Sequence, residues 1–340
     1  MNYSEIKAEI IGPAVLIMTP FDSAYKLNTD ALKKNVRLIV NGGISRGKGF
    51  IICPAGTGEY NTLSREEHIE VVSAAQEAAN GDIEIVAGVA SSSHFEIIER
   101  CNAALDKGVK TAMVPPPYYY HGMDQEGVLH WYSEIAKHTE IGLMIYDQSW
   151  RNQGGTIDGP TTEKLMNNIE SVVSIKRGFM PSFQDYVDTL DRFSDKLAIV
   201  DNSYGHTAGL AHQHGAKSYI TGVAAFWPEG EAKFWQLLQE GKYAEADKFH
   251  SRQATFWRLV DEGFEGYATN VLKAAAEYVG INAGSVRPPF RDLNTKETIS
   301  GELIVSTVIE LLDTIQANMF AQADKFMQNN IYNISTYDDF

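Results

Sequence analysis

Residues 141–146 read IGLMIY and residues 172–176 read VVSIK. Each is a short, continuous run of mostly apolar residues. A strand with one wet face alternates apolar and polar residues; a strand covered on both faces does not. Working outward in both directions, runs of the same kind recur at Pro13–Met18, Gly49–Cys53, Glu84–Val89, Lys110–Val114, Leu197–Asp201 and Ser218–Val223.

Segments of helical period lie between them. Thr29–Val40 carries Leu32, Val36, Ile39 and Val40, and Ser64–Ala79 opens with a capping-box pattern before placing Ile69, Val72 and Ala75 on one face. Ser92–Asp106, Asp124–His138, Thr161–Asn168, Pro181–Phe193 and Thr207–His214 follow the same logic, and Phe226-Trp227-Pro228 leads into a further helix through Leu238. Strands alternating with helices at spacings of about 20–36 residues predict an α/β (β/α)₈ barrel, whose units average about 30 residues. The rival is an open doubly wound sheet, which uses fewer strands and often a glycine-rich phosphate turn after the first; none follows Met18. The barrel is expected over residues 10–240. A helical C-terminal extension packed on it is expected over 241–330, with apolar helical periods at Tyr243–Phe264, Gly266–Val279 and Gly301–Met327 and a break at Arg287-Pro288-Pro289.

The chain has 340 residues, 44% of them hydrophobic and 21% charged, which is ordinary for a soluble globular protein. With 29 basic and 44 acidic residues its net charge is −15, which argues against nucleic acid or an anionic membrane as partner. An anionic small substrate stays open, because a local cationic pocket can sit inside an acidic protein. Cys53 and Cys101 are the only cysteines and read as buried free thiols. No signal pattern opens the chain and no apolar run approaches the length of a membrane helix, so a cytoplasmic, reducing setting is expected.

Barrel active sites lie at the C-terminal ends of the strands, which turns the strand series into a short series of candidates. The sixth strand closes on Ile175-Lys176. A lysine there points toward the barrel mouth, where burial and nearby cations, Arg177 among them, would lower its pKa. A neutral amine attacks a ketone to form an imine, which then serves as an electron sink. The alternative is a lysine that snorkels out of the barrel top. The fifth strand ends in Tyr146, placed to relay protons, with Arg151 in the following loop, able to hold a carboxylate bidentately; a rim aromatic and a solvated arginine are the plainer alternative. After the second strand, Gly56-Thr57-Gly58-Glu59 either forms a nest whose N–H groups and Thr57 hydroxyl converge on a carboxylate, or is an ordinary strand–helix turn. Pro115-Pro116-Pro117-Tyr118-Tyr119-Tyr120 is a stiff loop that sets aromatics near the mouth or at a subunit contact. His206, His212 and His214 cluster in sequence, yet 212 and 214 fall on different helical faces and no acidic partner accompanies them, so no metal is expected.

These residues, in this order, resemble the dihydrodipicolinate synthase / N-acetylneuraminate lyase superfamily of class I aldolases over roughly residues 10–295. The features that carry the resemblance are Thr19-Pro20-Phe21, Gly56-Thr57-Gly58-Glu59, Pro117-Tyr118-Tyr119 with Gln125-Glu126-Gly127, Tyr146 with Arg151, Ile175-Lys176, Gly222-Val223 and Arg287-Pro288-Pro289. The resemblance implies that Lys176 forms the Schiff base and that Tyr146 relays protons beside it. It implies that Thr57 and the amides of Gly56 and Thr57 bind the keto-acid carboxylate, with Gly222 and Val223 also lining the substrate site. Arg151 would guard the entrance, and Tyr119 or Tyr120 would reach across a dimer interface in a homotetramer built as a dimer of dimers. No cofactor is implied.

The sequence departs from the family pattern where the substrate is read. The usual hydroxyl residue before Thr57 is Gly56, as in the branch that dehydrates keto-deoxy sugar acids, whereas Arg151 is similar to the synthase branch. Asp147-Gln148-Ser149 replaces an Asn-x-Pro pattern, and Arg177 replaces a common acidic residue. The reading is therefore a Schiff-base lyase acting on a 2-keto acid, by aldol cleavage or condensation with pyruvate or by dehydration of a keto-deoxy sugar acid. The alternatives are dihydrodipicolinate-synthase-type condensation of pyruvate with an aldehyde, a catalytically idle keto-acid-binding barrel, and a metal-dependent barrel hydrolase, the last lacking paired histidines on the early strands.

Overall fold

The apolar runs become eight parallel strands, β1 (Gly12–Leu16), β2 (Phe50–Ile52), β3 (Glu84–Gly88), β4 (Thr111–Val114), β5 (Gly142–Tyr146), β6 (Val172–Arg177), β7 (Ala198–Asp201) and β8 (Ser218–Thr221). They hydrogen-bond in chain order, and β8 returns to β1, so the sheet closes into a barrel. The computed structural model describes residues 1–117, 123–147, 157–179, 182–253, 256–257 and 268–293.

Helices cover the outside: α2 (Thr29–Asn41), α3 (Arg65–Ala79), α4 (His94–Asp106), α5 (Gln125–Ala136), α6 (Gly159–Asn168), α7 (Phe183–Phe193), α8 (Ala208–Gln213) and α9 (Pro228–Gln239). The start of α3 is fixed by its own sequence: Ser64 accepts from the Glu67 N–H while the Glu67 carboxylate accepts from the Ser64 N–H. Aspartates 124 and 158 cap α5 and α6 with one bond each, accepting from the Gly127 and Thr161 N–H groups. Beyond α9 come α10 (Tyr243–His250) and a helix over Ala268–Tyr278, here α11. The expected helix over 301–327 lies outside the described residues.

One element was not foreseen. Tyr3–Glu9 forms α1, capped by Asn2, across the N-terminal end of the barrel. With so few apolar positions (Ile6 is its one buried residue) it carries no helical stripe to read. A cavity of about 360 Å³ lies at that end, lined by α1 with Arg46, Glu84 and Lys110, and Arg46 is matched there by Glu9 and Glu84. The eighth strand is also shorter than expected, because Val223–Ala225 turns into a 3₁₀ segment.

Why every strand is apolar on both sides is visible in the packing. Ala14, Leu16, Phe50, Ile52, Val86, Met113, Met144, Val200 and Ile220 fill the interior of the barrel. Their sequence neighbours Val15, Ile51, Ile85, Ala112, Ile145 and Ile199 belong to the separate layer under the helices. Burial pushes both cysteine thiols, Cys53 and Cys101, up to about 12, so they pack as apolar groups. No helix among the described residues is long and apolar enough to cross a membrane.

Candidate active site

Inward and outward positions alternate along β6. Against β5 the register shifts between Leu143 and Met144, which pair with Val172 and Ser174, so Val173 is the extra residue of a bulge. From there Ser174 bonds inward to the Ala198 carbonyl, Ile175 packs outward, Lys176 points in and Arg177 points out. Lys176 is 3% exposed at the last inward position of its strand. Its register partner on β5 is Tyr146, and Nζ sits 3.9 Å from the centroid of that ring. The lysine therefore does not snorkel into solvent; it lies over the phenol at the C-terminal mouth.

Across the mouth, β2 gives way to a tight turn. Gly58 and Tyr60 N–H groups both donate to the Ala55 carbonyl, and the Glu59 N–H donates to the Gly56 carbonyl. The Thr19 hydroxyl donates to the Gly58 carbonyl at 2.7 Å. Only glycine fits at 58: a Cβ would stand 2.9 Å from the Ile17 carbonyl oxygen and 3.1 Å from the Ala55 nitrogen. This folding leaves the N–H groups of Gly56 and Thr57 without a backbone partner among the described residues. The Thr57 hydroxyl is buried and, among the described residues, has no hydrogen-bond partner. A buried hydroxyl left unsatisfied is costly unless a ligand or water completes it. Ala55, which opens the turn, packs in the same apolar cluster as Tyr146.

Arg177 does not do what its position in the sequence promised. Its side chain leaves the opposite face of β6, where Nε lies 3.5 Å from Asp147 Oδ2 and an Nη1–H donates to the Ile157 carbonyl at 2.8 Å. The expectation that it adds positive charge beside Lys176 is thereby corrected: strand alternation sends it behind the wall, and a carboxylate matches it there. The next outward position round the barrel is Asp201, the register partner of Arg177. It accepts from Tyr186, Ser203 and Thr207 hydroxyls, while burial pushes its carboxyl above the usual range.

Of the remaining positions, Gly222 packs under Leu272 and Trp257, and the Val223 side chain is buried in the layer outside the barrel. Tyr119, Tyr120 and Arg151 lie outside the described residues. The three histidines go separate ways: His206 packs edge-on against His250, His212 Nδ1 meets the Tyr243 hydroxyl, and His214 pairs with Asp191. Sequence reasoning passed over Tyr204. It holds a left-handed backbone (φ 53°), lies 4.5 Å from the Trp257 ring and packs against the barrel-interior cluster at the mouth. A bulky residue in that conformation is a strained position of the kind that gathers at working sites. The only trace of it in the sequence is the glycine that follows.

Comparison with known proteins identifies relatives of the whole barrel. The model of the dihydrodipicolinate synthetase family matches residues 9–307. A 4-hydroxy-tetrahydrodipicolinate synthase of Methanococcoides burtonii is 27% identical over 301 residues, covering 88% of this chain and 98% of that protein. A protein of Oceanobacillus iheyensis named probable 5-dehydro-4-deoxyglucarate dehydratase is 24% identical over 283 residues, covering 80% and 86%. Among solved structures, the chloride-inhibited dihydrodipicolinate synthase of Acinetobacter baumannii complexed with pyruvate superposes with a TM-score of 0.79 at 25% identity, covering 88% of this chain and 99% of that one.

Proposed function

Because the chain belongs to the dihydrodipicolinate synthetase family and is thus an enzyme of the class I aldolase type, we propose that it forms a Schiff base between Lys176 and a 2-keto acid, then works through the resulting enamine. The observation that carries this reading is the Lys176 amine set 3.9 Å over the Tyr146 ring, inside a closed barrel of apolar side chains.

The amine of Lys176 attacks C2 of the keto acid and a carbinolamine forms. Tyr146 delivers the proton with which the hydroxyl leaves as water, and the protonated imine remains. The imine nitrogen then stabilises a carbanion at C3, from which a carbon–carbon bond breaks or forms or a β-hydroxyl departs. The carboxylate of the substrate is held by the Gly56 and Thr57 N–H groups and completes the Thr57 hydroxyl. Gly56 in place of a hydroxyl residue favours a keto-deoxy sugar acid as substrate, dehydrated or cleaved, and the similarity to the Oceanobacillus iheyensis dehydratase supports it. The enzyme works in the cytoplasm as a homotetramer built as a dimer of dimers, which sedimentation velocity tests: a monomer at micromolar concentration overturns the assembly.

Borohydride reduction in the presence of pyruvate, followed by mass spectrometry, tests the chemistry. The expected result is one stable adduct on the Lys176 peptide, absent in Lys176→Ala. An unmodified Lys176 peptide, or an adduct on another lysine, overturns the reading. Turnover over a panel of keto acids, lost in the same variant, separates an enzyme from a keto-acid-binding barrel.

A further inference from the structure

Two sequence motifs have no part in the chemistry above, Thr19-Pro20-Phe21 and Arg287-Pro288-Pro289, and both reach the end of the carboxylate turn, Thr19 at Gly58 and Arg287 at Glu59. Glu59 holds a left-handed backbone (φ 55°, ψ 34°) although it is not glycine. Such a conformation persists only where the surroundings impose it. Here they do so through the side chain. Glu59 Oε2 accepts from the Arg287 N–H at 2.7 Å, and Oε1 makes a contact ion pair with Lys273 Nζ at 2.6 Å, with both side chains buried. Lys273, on α11, also donates to the Ser285 carbonyl at 2.8 Å, and its Nζ lies 4.6 Å from the centroid of the Phe21 ring. The Arg287 guanidinium covers that ring as well, at 4.1 Å, and grips the Glu67 carboxylate with two hydrogen bonds at the start of α3. Thr19, two residues before Phe21, holds the Gly58 carbonyl.

We propose that Glu59 and Lys273 are positioning residues for the substrate carboxylate, and that the segment following the barrel serves to brace the Ala55–Glu59 turn in the one shape that keeps the Gly56 and Thr57 N–H groups turned to a ligand. The turn's own backbone bonds end on the Ala55 and Gly56 carbonyls, and none of them holds the Gly56 or Thr57 N–H group. A buried carboxylate gripped from two sides fixes Glu59, and Glu59 in turn fixes the peptide plane beside Gly58. Neither Glu59 nor Lys273 needs to touch the substrate, and neither takes part in imine chemistry. The inference rests on reading Gly56 and Thr57 as the carboxylate site.

Two ketones of different charge separate the possibilities. Pyruvate carries the carboxylate; acetone presents the same reactive carbonyl without it. Borohydride trapping on Lys176 is measured against concentration of each, with Glu59→Gln and Thr19→Val compared to the unaltered protein. Glu59→Gln keeps the shape and the Arg287 bond but loses the ion pair; Thr19→Val loses only the bond to Gly58. For each variant the half-saturating pyruvate concentration is expected to rise about tenfold, the scale on which small misplacements act, with the plateau trapping rate within twofold and acetone trapping unchanged. Half-saturation within twofold of the unaltered protein in both variants overturns the proposal, and so does an equal loss with acetone, which would mark a general disturbance of the fold. Thr19→Val carries the comparison alone if Glu59→Gln does not fold. If the unaltered protein traps neither ketone on Lys176, the Schiff-base reading fails; if it traps acetone as readily as pyruvate, the carboxylate reading fails instead.

Discussion

Lys176 and Arg177 are adjacent in the chain, both cationic residues and both 3% exposed, yet they stand on opposite sides of the barrel wall. Lys176 faces in, over the Tyr146 ring among the apolar side chains of the interior. Arg177 faces out, against Asp147 and the Ile157 carbonyl beneath the helices. On the proposed role of Lys176, degree of burial does not distinguish a working group from a structural one. The face does. A guanidinium, always charged, can be left behind the wall only with a carboxylate to match it. An amine with a chemically useful neutral form is the one placed at the mouth.

Substitutions ought therefore to separate catalysis from stability between these neighbours. Lys176→Ala is expected to abolish turnover and adduct formation, a loss of about 10⁴-fold or more, with unfolding free energy within about 1 kcal/mol of the unaltered protein. Tyr146→Phe keeps the ring under Nζ and removes the proton; imine formation measured by stopped flow is expected to slow by about 10²–10⁴-fold. Urea unfolding of the same two proteins checks that the fold survives.

On the outer face the pattern inverts. Arg177→Met leaves the Asp147 carboxylate buried without its cation and is expected to cost about 3–5 kcal/mol in urea unfolding. Combining it with Asp147→Asn should recover at least half of that loss. The folded fraction of Arg177→Met should still give the Lys176 adduct; an adduct lost as completely as in Lys176→Ala would break the distinction between the faces. The pH dependence of stability also belongs to the outside. His68, on α3, is buried with Nε2 2.8 Å from the Gly88 carbonyl, and burial pulls its pKa down to about 4. The unfolded chain binds that proton near pH 6.5 and the folded one near 4, so stability falls as pH drops through that window, by at most about 3 kcal/mol. Thermal midpoints from pH 7 to pH 4 should decline, and His68→Gln should flatten the decline; an unchanged slope removes His68 as its cause.

Most of the barrel was legible because its signal is redundant. Eight unalternating apolar runs, each followed by a helical stripe, fix both the element type and the end of each strand where a site must sit. That placed Lys176 and Tyr146 together on adjacent strands before any geometry was known. What sequence could not carry was direction. The bulge at Val173 sets which of Lys176 and Arg177 faces inward, and nothing in VVSIKR marks a bulge. Long-range pairings were equally silent: Glu59 and Lys273 are more than two hundred positions apart, and each alone reads as a solvated charge. The helix α1, with one buried side chain, and Tyr204, with only a following glycine as signal, escaped for want of any periodic pattern.

The smallest effect on stability is expected at Gly56, and it tests the mouth alone. A Cβ there would meet only the Tyr60 ring, at 3.7 Å, and the residue is exposed, so Gly56→Ser should leave unfolding free energy within about 0.5 kcal/mol. A hydroxyl at this point stands beside the proposed carboxylate site. The ratio of turnover on a keto-deoxy sugar acid to that on pyruvate with an aldehyde is expected to shift at least about threefold, a difference of about 0.6 kcal/mol or more in transition-state energy. A shifted ratio at unchanged stability places specificity on the inner face, where Lys176 is. An unchanged ratio removes Gly56 from substrate choice and leaves that role to other positions around the mouth, with Tyr204 the first to vary.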